Sequence, residues 1–410
     1  MILPEGKAMS RTEVLDELPY FNISDPSFAM QSEAVRDARE RSWIAKTNYG
    51  YAVLRYAEVS ELLKHPKLSQ GSARWPEHHG VHTGVFYEWW SKNLLVLEGD
   101  EHHRIRRLLN PAFSPSMARK LEPQFAQLAE DLITEFKDRG ECEFVADFAE
   151  PFATRALCIM MGLDHKHWQF IASRANTVGY ALSVSIKEDI EQIDAAVKEL
   201  YDFVEQLIED RKANPGQDVV SRLVQFSDQG DKLSGEELRN ALVLMLFGGM
   251  DTTRNQLGLA LQTYIRNPEE WEKLAADESL ASAAIEEALR VNPTTRWVTR
   301  EAIDDFEYEG IEIDKGTTVH LFTASSGTDP VAYPDGDVDI TAEGRKPHFT
   351  FGGGVHHCLG HYIARADMSQ ALPALARHLT NIQSAGGDEW LPDSGNTGPI
   401  KFPITFTARA

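Results

Sequence analysis

Apolar residues recur at helical spacing over most of the chain, and this pattern predicts a mainly α-helical protein with small β-sheets. The longest amphipathic stretches predict helices over residues 117–139, 186–213, 235–266, 280–291 and 361–379. Shorter, β-branched segments predict strands over residues 51–55, 306–313, 317–322 and 402–407. Asp314-Lys315-Gly316 lies between two of these segments and predicts a hairpin turn.

The amino-acid composition excludes several classes of function but does not indicate a particular one. Of the 410 residues, 42% are hydrophobic and 25% are charged, as in ordinary globular proteins. The 41 basic and 63 acidic residues give a net charge of −22, which opposes binding to nucleic acid or anionic lipid. The longest apolar run, residues 241–250, is about half the length of a membrane span. The first residues lack the apolar core of a signal peptide, so we expect a cytoplasmic protein without membrane attachment.

The segment Phe351-Gly-Gly-Gly-Val-His-His-Cys-Leu-Gly360 carries the most unusual chemistry of the chain. Three glycines allow backbone geometries closed to other residues, and Cys358 precedes a predicted helix whose N–H groups favour a thiolate. A thiolate held in this way is a good soft ligand for iron. Two alternatives remain at this point: Cys358 is a buried small side chain, or it binds zinc with neighbouring histidines. The three cysteines of the chain are too few for a disulfide framework, which fits a reducing compartment.

Two further motifs lie upstream of this loop. Glu287 and Arg290 stand three residues apart on a predicted helix, where an ordinary ion pair is the simplest interpretation. The sequence Gly248-Gly-Met-Asp-Thr-Thr253 interrupts an otherwise apolar helix. Close helix packing would explain the glycines, but a buried carboxylate beside a hydroxyl is costly unless it serves proton chemistry.

Together these motifs resemble those of the cytochrome P450 family of haem-thiolate monooxygenases, in order and in spacing. FGGGVHHCLG matches the family's haem-binding loop FxxGxxxCxG, EEALR matches its ExxR motif, and GGMDTT matches its oxygen-binding helix motif. The resemblance runs from about residue 16 to residue 407 and favours the branch of the family that lacks a membrane anchor. It implies one large domain with the cytochrome P450 fold over residues 1–410, with a flexible N-terminus at residues 1–15.

The resemblance implies haem b as cofactor and gives roles to individual residues. Cys358 matches the axial iron ligand, Phe351 the aromatic residue that covers its sulfur, and Gly354 and Gly360 the glycines of the loop. Four positions match partners of the two haem propionates: His102, Arg106, Arg300 and His356. Glu287 and Arg290 match a pair that supports the region behind the haem, so we expect a structural role for them.

Asp251 and Thr252 match the acid–alcohol pair that manages protons during oxygen activation. Peroxide-driven relatives carry Arg-Pro at these positions, so the resemblance implies an enzyme that uses O₂ and two electrons. Arg254 lies two residues too late to act as the arginine of those relatives.

The resemblance also implies an apolar substrate pocket. We expect it to be lined by Leu244, Phe247, Gly248, Thr295 and Val298. The aromatic segment of residues 71–91 would form its roof, and lid helices would lie within residues 165–211. The substrate would be a terpenoid, a steroid, a fatty acyl chain or an aromatic molecule.

Electrons would come indirectly from NAD(P)H through a separate ferredoxin or flavodoxin, because the chain has no room for a flavin domain and no cysteine set for an iron–sulfur cluster. Arg104, Arg107, Arg119 and Lys120 are the candidate docking residues, and we expect a monomer. Two other functions stay open: non-hydroxylating chemistry on the same fold, such as coupling or dehydration, and a haem sensor or carrier without turnover. Asp251 and Thr252 argue against a carrier, which has no use for a proton relay.

Overall fold

The computed structural model describes residues 17–182, 186–227, 233–336 and 338–409, so the predicted flexible segment at residues 1–15 lies outside the described residues. The helices of the described part are α1 (Glu33–Arg41), α2 (Tyr56–Leu62), α3 (Trp75–His78), α4 (Val85–Trp90), α5 (Gly99–Leu109), α6 (Pro115–Phe136), α7 (Glu150–Met161), α8 (Trp168–Gly179), α9 (Ile186–Ala213), α10 (Val219–Ser227), α11 (Gly235–Gly248), α12 (Asp251–Arg266), α13 (Pro268–Ala276), α14 (Ala281–Val291), α15 (Thr323–Ser326) and α16 (His361–His378). The prediction of a mainly helical protein is confirmed.

The strands are short, and all of them except β5 lie before residue 71 or after residue 296. They are β1 (Tyr20–Phe21), β2 (Ile44–Thr47), β3 (Gly50–Val53), β4 (Leu68–Gln70), β5 (Glu141–Glu143), β6 (Trp297–Ala302), β7 (Phe306–Tyr308), β8 (Ile311–Ile313), β9 (Thr318–Phe322), β10 (Leu379–Ser384), β11 (Glu389–Trp390), β12 (Pro399–Lys401) and β13 (Pro403–Ala408). The largest sheet has the order β1-β2-β3-β9-β6-β4, and β10-β13-β5 form a second sheet. Strand β9 pairs in parallel with β3 and antiparallel with β6, which places β3 and β9 in the middle of the large sheet and β6 between β9 and the edge strand β4.

The helical core is built on α6 and α16, whose apolar faces pack against each other. Phe125, Leu132 and Ile133 of α6 are buried, as are Leu372 and Leu375 of α16. Because α16 begins three residues after Cys358, this packing fixes the position of the cysteine loop against the core. No helix among the described residues is long and apolar enough to cross a membrane.

The helical pattern over residues 235–266 is interrupted, as the motif Gly248-Gly-Met-Asp-Thr-Thr253 indicated. Helix α11 ends at Gly248 and α12 begins at Asp251. Two consecutive glycines weaken the helix there, and the Thr252 hydroxyl donates a hydrogen bond to the Gly248 carbonyl at 3.0 Å. The interruption leaves Asp251 in the first turn of the new helix.

The strand predicted over residues 306–313 is instead a hairpin of β7 and β8, which turns at Glu309 and Gly310. The predicted turn at residues 314–316 does not join two paired strands, because β9 pairs with β3 and β6 and not with β8. A Gly at φ +77° suits the tight hairpin turn, a feature that the alternation of apolar residues did not indicate.

Candidate active site

A cavity of about 490 Å³ extends from the cysteine loop to the large sheet and to the interrupted helix. The five residues expected to line a substrate pocket all line this cavity: Leu244, Phe247, Gly248, Thr295 and Val298. Residues from the cysteine loop and from the acid–alcohol pair line the same cavity: Asp251, Thr252, Phe351, His356, Cys358 and Gly360. The fold therefore brings together motifs that lie more than a hundred residues apart in the sequence.

The cysteine loop holds Cys358 through its backbone. The Cys358 amide donates to the Phe351 carbonyl at 2.9 Å, and Gly354 adopts φ +68°, which favours glycine. Burial raises the pKa of the Cys358 thiol, whereas backbone N–H groups of Gly360 and His361 and the charge of Arg106 lower it. Helix α16 begins at His361 and not at Cys358, so the thiol lies just before the helix and faces its first N–H groups.

An aromatic ring and a cation cover this loop on the protein side. The guanidinium of Arg365 lies 4.4 Å from the centroid of the Phe351 ring, a cation–π distance. Arg365 also pairs with Glu286 at 2.6 Å, and Glu286 in turn lies 3.2 Å from His348. Sequence reasoning identified Phe351 but not Arg365, which follows the cysteine by two helical turns.

Two arginines point into the cavity without a bonded carboxylate among the described residues. Arg300 is 3% exposed and donates to the carbonyls of Thr299 at 3.1 Å and Gly353 at 3.4 Å. Burial lowers the pKa of Arg300 to about 10, opposed by the charge of Glu98. Arg106 is half-buried and donates to the His357 carbonyl. Burial also lowers its pKa, and the nearby Cys358 opposes that change. Buried guanidinium groups of this kind call for an anion.

Two histidines adjoin the corner formed by Arg106 and Arg300, which we call the cationic corner after these two arginines. His356 lines the cavity and its Nε2 lies 3.1 Å from a carboxylate oxygen of Glu98. The ring of His102 packs 4.3 Å from that of His356, is buried, and does not itself line the cavity. Neither ring nitrogen of His102 has a hydrogen-bond partner among the described residues, and burial lowers the pKa of His102 to about 4. Glu98, which precedes helix α5, was missed by sequence reasoning because no motif marks it.

Asp251 is held on both of its carboxylate oxygens. Arg254 Nη2 donates to Oδ1 at 2.8 Å, and Asn396 Nδ2 donates to Oδ2 at 2.7 Å. Asn255 Nδ2 donates to the same Oδ2 at 3.2 Å. Sequence reasoning assigned no role to Arg254 beyond excluding it as a peroxygenase arginine, and it missed both asparagines.

A chain of polar contacts leads from Asp251 towards the surface. Arg254 Nη1 donates to Asn176 Oδ1 at 2.5 Å and lies 3.5 Å from a carboxylate oxygen of Glu150. Asn176 Nδ2 donates to the same Glu150 oxygen at 2.7 Å. Glu150 is more exposed than Arg254, at 27% against 11% of the side chain. Asn176 belongs to α8, one of the helices in the segment predicted as a lid.

Glu287 and Arg290 lie outside the cavity lining, as a structural role requires. Arg290 donates to both Glu287 oxygens, at 2.9 and 2.7 Å, and to the Gly327 carbonyl at 2.8 Å. Arg345 Nε lies 3.0 Å from Glu287, and both members of the pair are buried. This cluster ties α14 to the irregular segment that leads into the cysteine loop.

The predicted roof and docking face are both corrected in part. Residues 71–91, which we expected to be a loop, contain the short helices α3 and α4. Trp75 and Trp90 line the cavity, whereas Phe86 and Trp89 pack in the core. Arg104 forms an ion pair with Glu237 in the first turn of α11, so its charge is already compensated by that carboxylate. Arg119 and Lys120 on α6 are exposed, and Arg119 lines a surface groove together with Tyr362 and Arg365, close to that loop.

The residues present fit the haem that the motifs imply. A Cβ added to Gly248 or to Gly360 would meet no protein atom within 4 Å, although both glycines line the cavity. The cavity therefore keeps open space on the helix side and on the cysteine side. Cys358 offers a soft ligand on one wall, and the guanidinium groups of the half-buried Arg106 and the buried Arg300 offer partners for two carboxylates. No three His, Cys, Asp or Glu side chains converge as a metal site in the described ranges, so the zinc alternative has no geometric support.

Comparison with known proteins places these observations in context. The family model described as Cytochrome P450 matches residues 164–401. The chain is 33% identical over 395 residues to the luteothin monooxygenase of Streptomyces thioluteus, covering 96% of this chain and 97% of that protein. It is 29% identical over 299 residues to the polyketide biosynthesis cytochrome P450 PksS of Bacillus subtilis, covering 72% of each chain. The crystal structure of CalO2 superposes with a TM-score of 0.82 at 28% identity, covering 93% of this chain and 99% of that one.

Proposed function

The chain belongs to the cytochrome P450 family of monooxygenases, and from this premise we propose that it oxidises an apolar small molecule with O₂ and two electrons from a separate redox partner. The observation that carries the proposal is the single cavity that joins Cys358, the cations Arg106 and Arg300, and the pair Asp251–Thr252. The apolar lining by Leu244, Phe247 and Val298 supports a substrate without strong charge.

Bound haem would supply the redox chemistry that activates O₂ and transfers one oxygen atom to the substrate. Cys358 Sγ would hold its iron. Arg106 and Arg300 would neutralise the propionates, with His356 and the buried His102 beside them. Phe351 and Arg365 would shield the thiolate from water, and Gly354 would keep the loop in its turn.

The chain's own contribution to proton supply starts at Asp251. Arg254 donates a hydrogen bond to one oxygen of its carboxylate, and two asparagines donate to the other. At least one of these hydrogen bonds must break before the carboxylate can pass a proton towards Thr252. Glu150, Asn176 and Arg254 connect it to the surface in one direction. The Thr252 hydroxyl lines the cavity and donates only to Gly248, so it can turn to a ligand without breaking a tertiary contact.

The relatives named above support a biosynthetic intermediate as substrate, since one is named for luteothin and the other for polyketide biosynthesis. Among the classes expected from the resemblance, an apolar acyl or aromatic product of such a pathway is the one we propose. No feature of the described residues specifically favours an oxidation without oxygen insertion.

An acidic ferredoxin or flavodoxin would dock where positive side chains lie next to the cysteine loop. Arg119 and Lys120 are exposed on α6 beside that loop, whereas Arg104 forms an ion pair with Glu237. Reversing both charges, with R119E and K120E in one variant, should slow reduction by an acidic ferredoxin, most clearly at low salt. Equal reduction rates for the double variant and for wild type at low ionic strength would remove this surface from the proposal.

A spectral binding screen tests the proposed substrate class. The haem-loaded protein is titrated with apolar acyl and aromatic compounds and with charged compounds of similar size, and the Soret band is followed. We expect apolar compounds to shift the band to shorter wavelength and then to be oxidised when electrons and O₂ are supplied. Shifts confined to charged compounds, or turnover without any oxygen in the products, would contradict the proposal.

A further inference from the structure

One buried histidine of the cavity belongs to none of the motifs. His320 lies on β9, opposite Thr299 of β6 and Ala52 of β3. Residues paired directly share a face of a sheet and alternate positions share it too, so His320, Thr299 and Trp297 lie on one face. Arg300 pairs with Val319 and lies on the other face. His320 therefore lines the cavity away from the cationic corner around Arg300.

The hydrogen bonds of the His320 ring are incomplete. Its Nδ1 lies 3.3 Å from the Thr299 hydroxyl, and its Nε2 has no hydrogen-bond partner among the described residues. The residue is 3% exposed, and burial lowers the pKa of His320 to about 3, so the ring is neutral near pH 7. A buried polar atom without a partner destabilises the protein, and such atoms in a cavity indicate a missing ligand or water.

The contact with Thr299 determines which ring nitrogen carries the proton. If the hydroxyl donates to Nδ1, the hydroxyl proton is satisfied and Nε2 carries the hydrogen. In the opposite arrangement the hydroxyl proton and the Nε2 lone pair would both lack a partner. The first arrangement leaves fewer unsatisfied groups, so Nε2 presents a hydrogen-bond donor.

Aromatic rings surround this donor. The Trp297 ring lies 5.3 Å and the Tyr49 ring 6.4 Å from the His320 ring, and Trp75 lines the same cavity. Two of these neighbours already take part in a hydrogen bond with another residue. Tyr49 Oη accepts from Ser24 at 2.9 Å, and Trp75 Nε1 donates to the Ala181 carbonyl at 2.8 Å. A ligand in this corner therefore meets flat apolar walls and the donor of His320.

We propose that His320 Nε2 is a substrate-binding group that donates a hydrogen bond to a carbonyl or ether oxygen carried by an otherwise apolar substrate. This inference rests on the proposed function, because it takes the cavity to hold haem and substrate together. It deepens that proposal by adding one acceptor oxygen to the substrate, at a fixed distance from the carbon that is oxidised. Thr299 acts as a positioning residue, since its hydroxyl fixes the proton on Nε2.

The test uses N-alkylimidazoles as molecular rulers on the haem-loaded protein. The imidazole end binds iron and shifts the Soret band, and the other end carries either a methyl ketone or an alkyl group of equal length. Dissociation constants are measured across a series of chain lengths. Over a narrow range of lengths, we expect the ketone to bind roughly five- to thirtyfold more tightly than its alkyl partner. Shorter and longer pairs should show no preference.

Two variants and one control assign the preference to His320. H320F should remove the ketone preference while the alkyl compounds bind as before. T299V keeps the His320 ring but removes the hydroxyl that fixes its proton on Nε2, so the preference for the ketone should fall. If H320F does not fold, T299V alone tests the role of the ring. H65F is the matched control, because His65 stacks on Phe306 and does not line the cavity. It should keep the full preference.

The outcomes separate this inference from the proposed function. Absence of a ketone preference at every length, or its persistence in H320F, would overturn the role of His320 although the spectral shift confirms the haem cavity. A ketone preference that H65F abolishes equally would also overturn it. Failure of every imidazole to shift the Soret band would instead refute the proposed haem cavity, and the inference would fall with it.

Discussion

Replacing Asp251 by asparagine changes charge and hydrogen bonding at one buried point. In the native protein Arg254 donates to Oδ1 at 2.8 Å, while Asn396 and Asn255 donate to Oδ2 at 2.7 and 3.2 Å. An amide has only one acceptor oxygen, so its NH₂ group must face either the arginine or the two asparagine donors. The variant loses the ion pair whichever way its amide turns, and in addition it loses either the hydrogen bond from Arg254 or the two from the asparagines.

The expected loss of stability follows from the burial of this pair. The side chains of Asp251 and Arg254 are 8% and 11% exposed, and removing one partner of a buried ion pair costs about 3–5 kcal/mol. Glu150 remains 3.5 Å from Arg254 and keeps a negative charge nearby, so we expect about 2–4 kcal/mol. With an unfolding entropy of about 2.1 cal/mol/K per residue, this corresponds to a fall in Tm of about 2–5 °C.

The turnover number kcat of D251N should fall by more than its loss of folding stability explains. An asparagine amide cannot carry a proton, and general acid–base steps contribute about 10²- to 10⁴-fold. We expect kcat to drop within that range while the fraction of electrons recovered in product changes less. T252A should behave differently: it loses one hydrogen bond to Gly248, keeps Tm nearly unchanged, and diverts reductant to hydrogen peroxide.

The assay measures NAD(P)H consumption, hydrogen peroxide and product with a substrate found in the spectral screen, together with thermal unfolding of the same preparations. N255A is the matched control, because it weakens the same cluster but keeps the carboxylate. It should lose stability without a comparable loss of kcat. Wild-type rate and coupling in both D251N and T252A would refute the relay. Equal losses of kcat in N255A and D251N would mean that the cluster acts only through the fold.

Three other expectations follow from the buried charges. R106L and R300L should each lower the haem content of the purified protein, measured as the Soret-to-280 nm absorbance ratio, and unchanged ratios in both would contradict the propionate assignment. E287Q leaves Arg290 buried without its charge partner and should cost about 3–5 kcal/mol in chemical denaturation, so unaltered stability would contradict the structural role. The pKa of His320 is lowered by burial to about 3 from an ordinary 6.5, so the unfolded chain binds the extra proton as pH falls through 6.5. At pH 5 this lowers wild-type stability by about 2 kcal/mol relative to pH 7.5, a loss that H320F should lack; equal losses in both proteins would refute the neutral ring.

Local motifs determined what could be predicted from the sequence. The glycines and the cysteine of residues 351–360 act through backbone geometry within ten residues, so the pattern alone located Cys358. Helical periodicity likewise gave α9 its observed bounds, residues 186–213. The two glycines also indicated the interruption between Gly248 and Asp251, although the apolar run 241–250 has the pattern of a continuous helix. Its cause is partly tertiary: a Cβ at Gly249 would lie 3.0 Å from the Leu157 side chain.

Contacts between distant segments could not be predicted in this way. Asn396 donates a hydrogen bond to Asp251, which lies 145 positions earlier in the chain. Glu98 likewise contacts His356, a residue of the distant cysteine loop. Nothing in the local sequence of an asparagine or a glutamate marks such a partner. Arg104 shows the same limit, because its pairing with Glu237 depends on how α5 packs against the start of α11.

Iron ligation by Cys358 is the central claim, and the spectrum of the reduced, CO-treated protein tests it most directly. Cys142 and Cys158 provide matched controls, because both are buried outside the cavity lining; burial raises the pKa of Cys158 to about 12. We expect the wild type, C142A and C158A to show the long-wavelength Soret band typical of thiolate ligation, and C358A to lose it. A normal thiolate band in C358A would contradict the account.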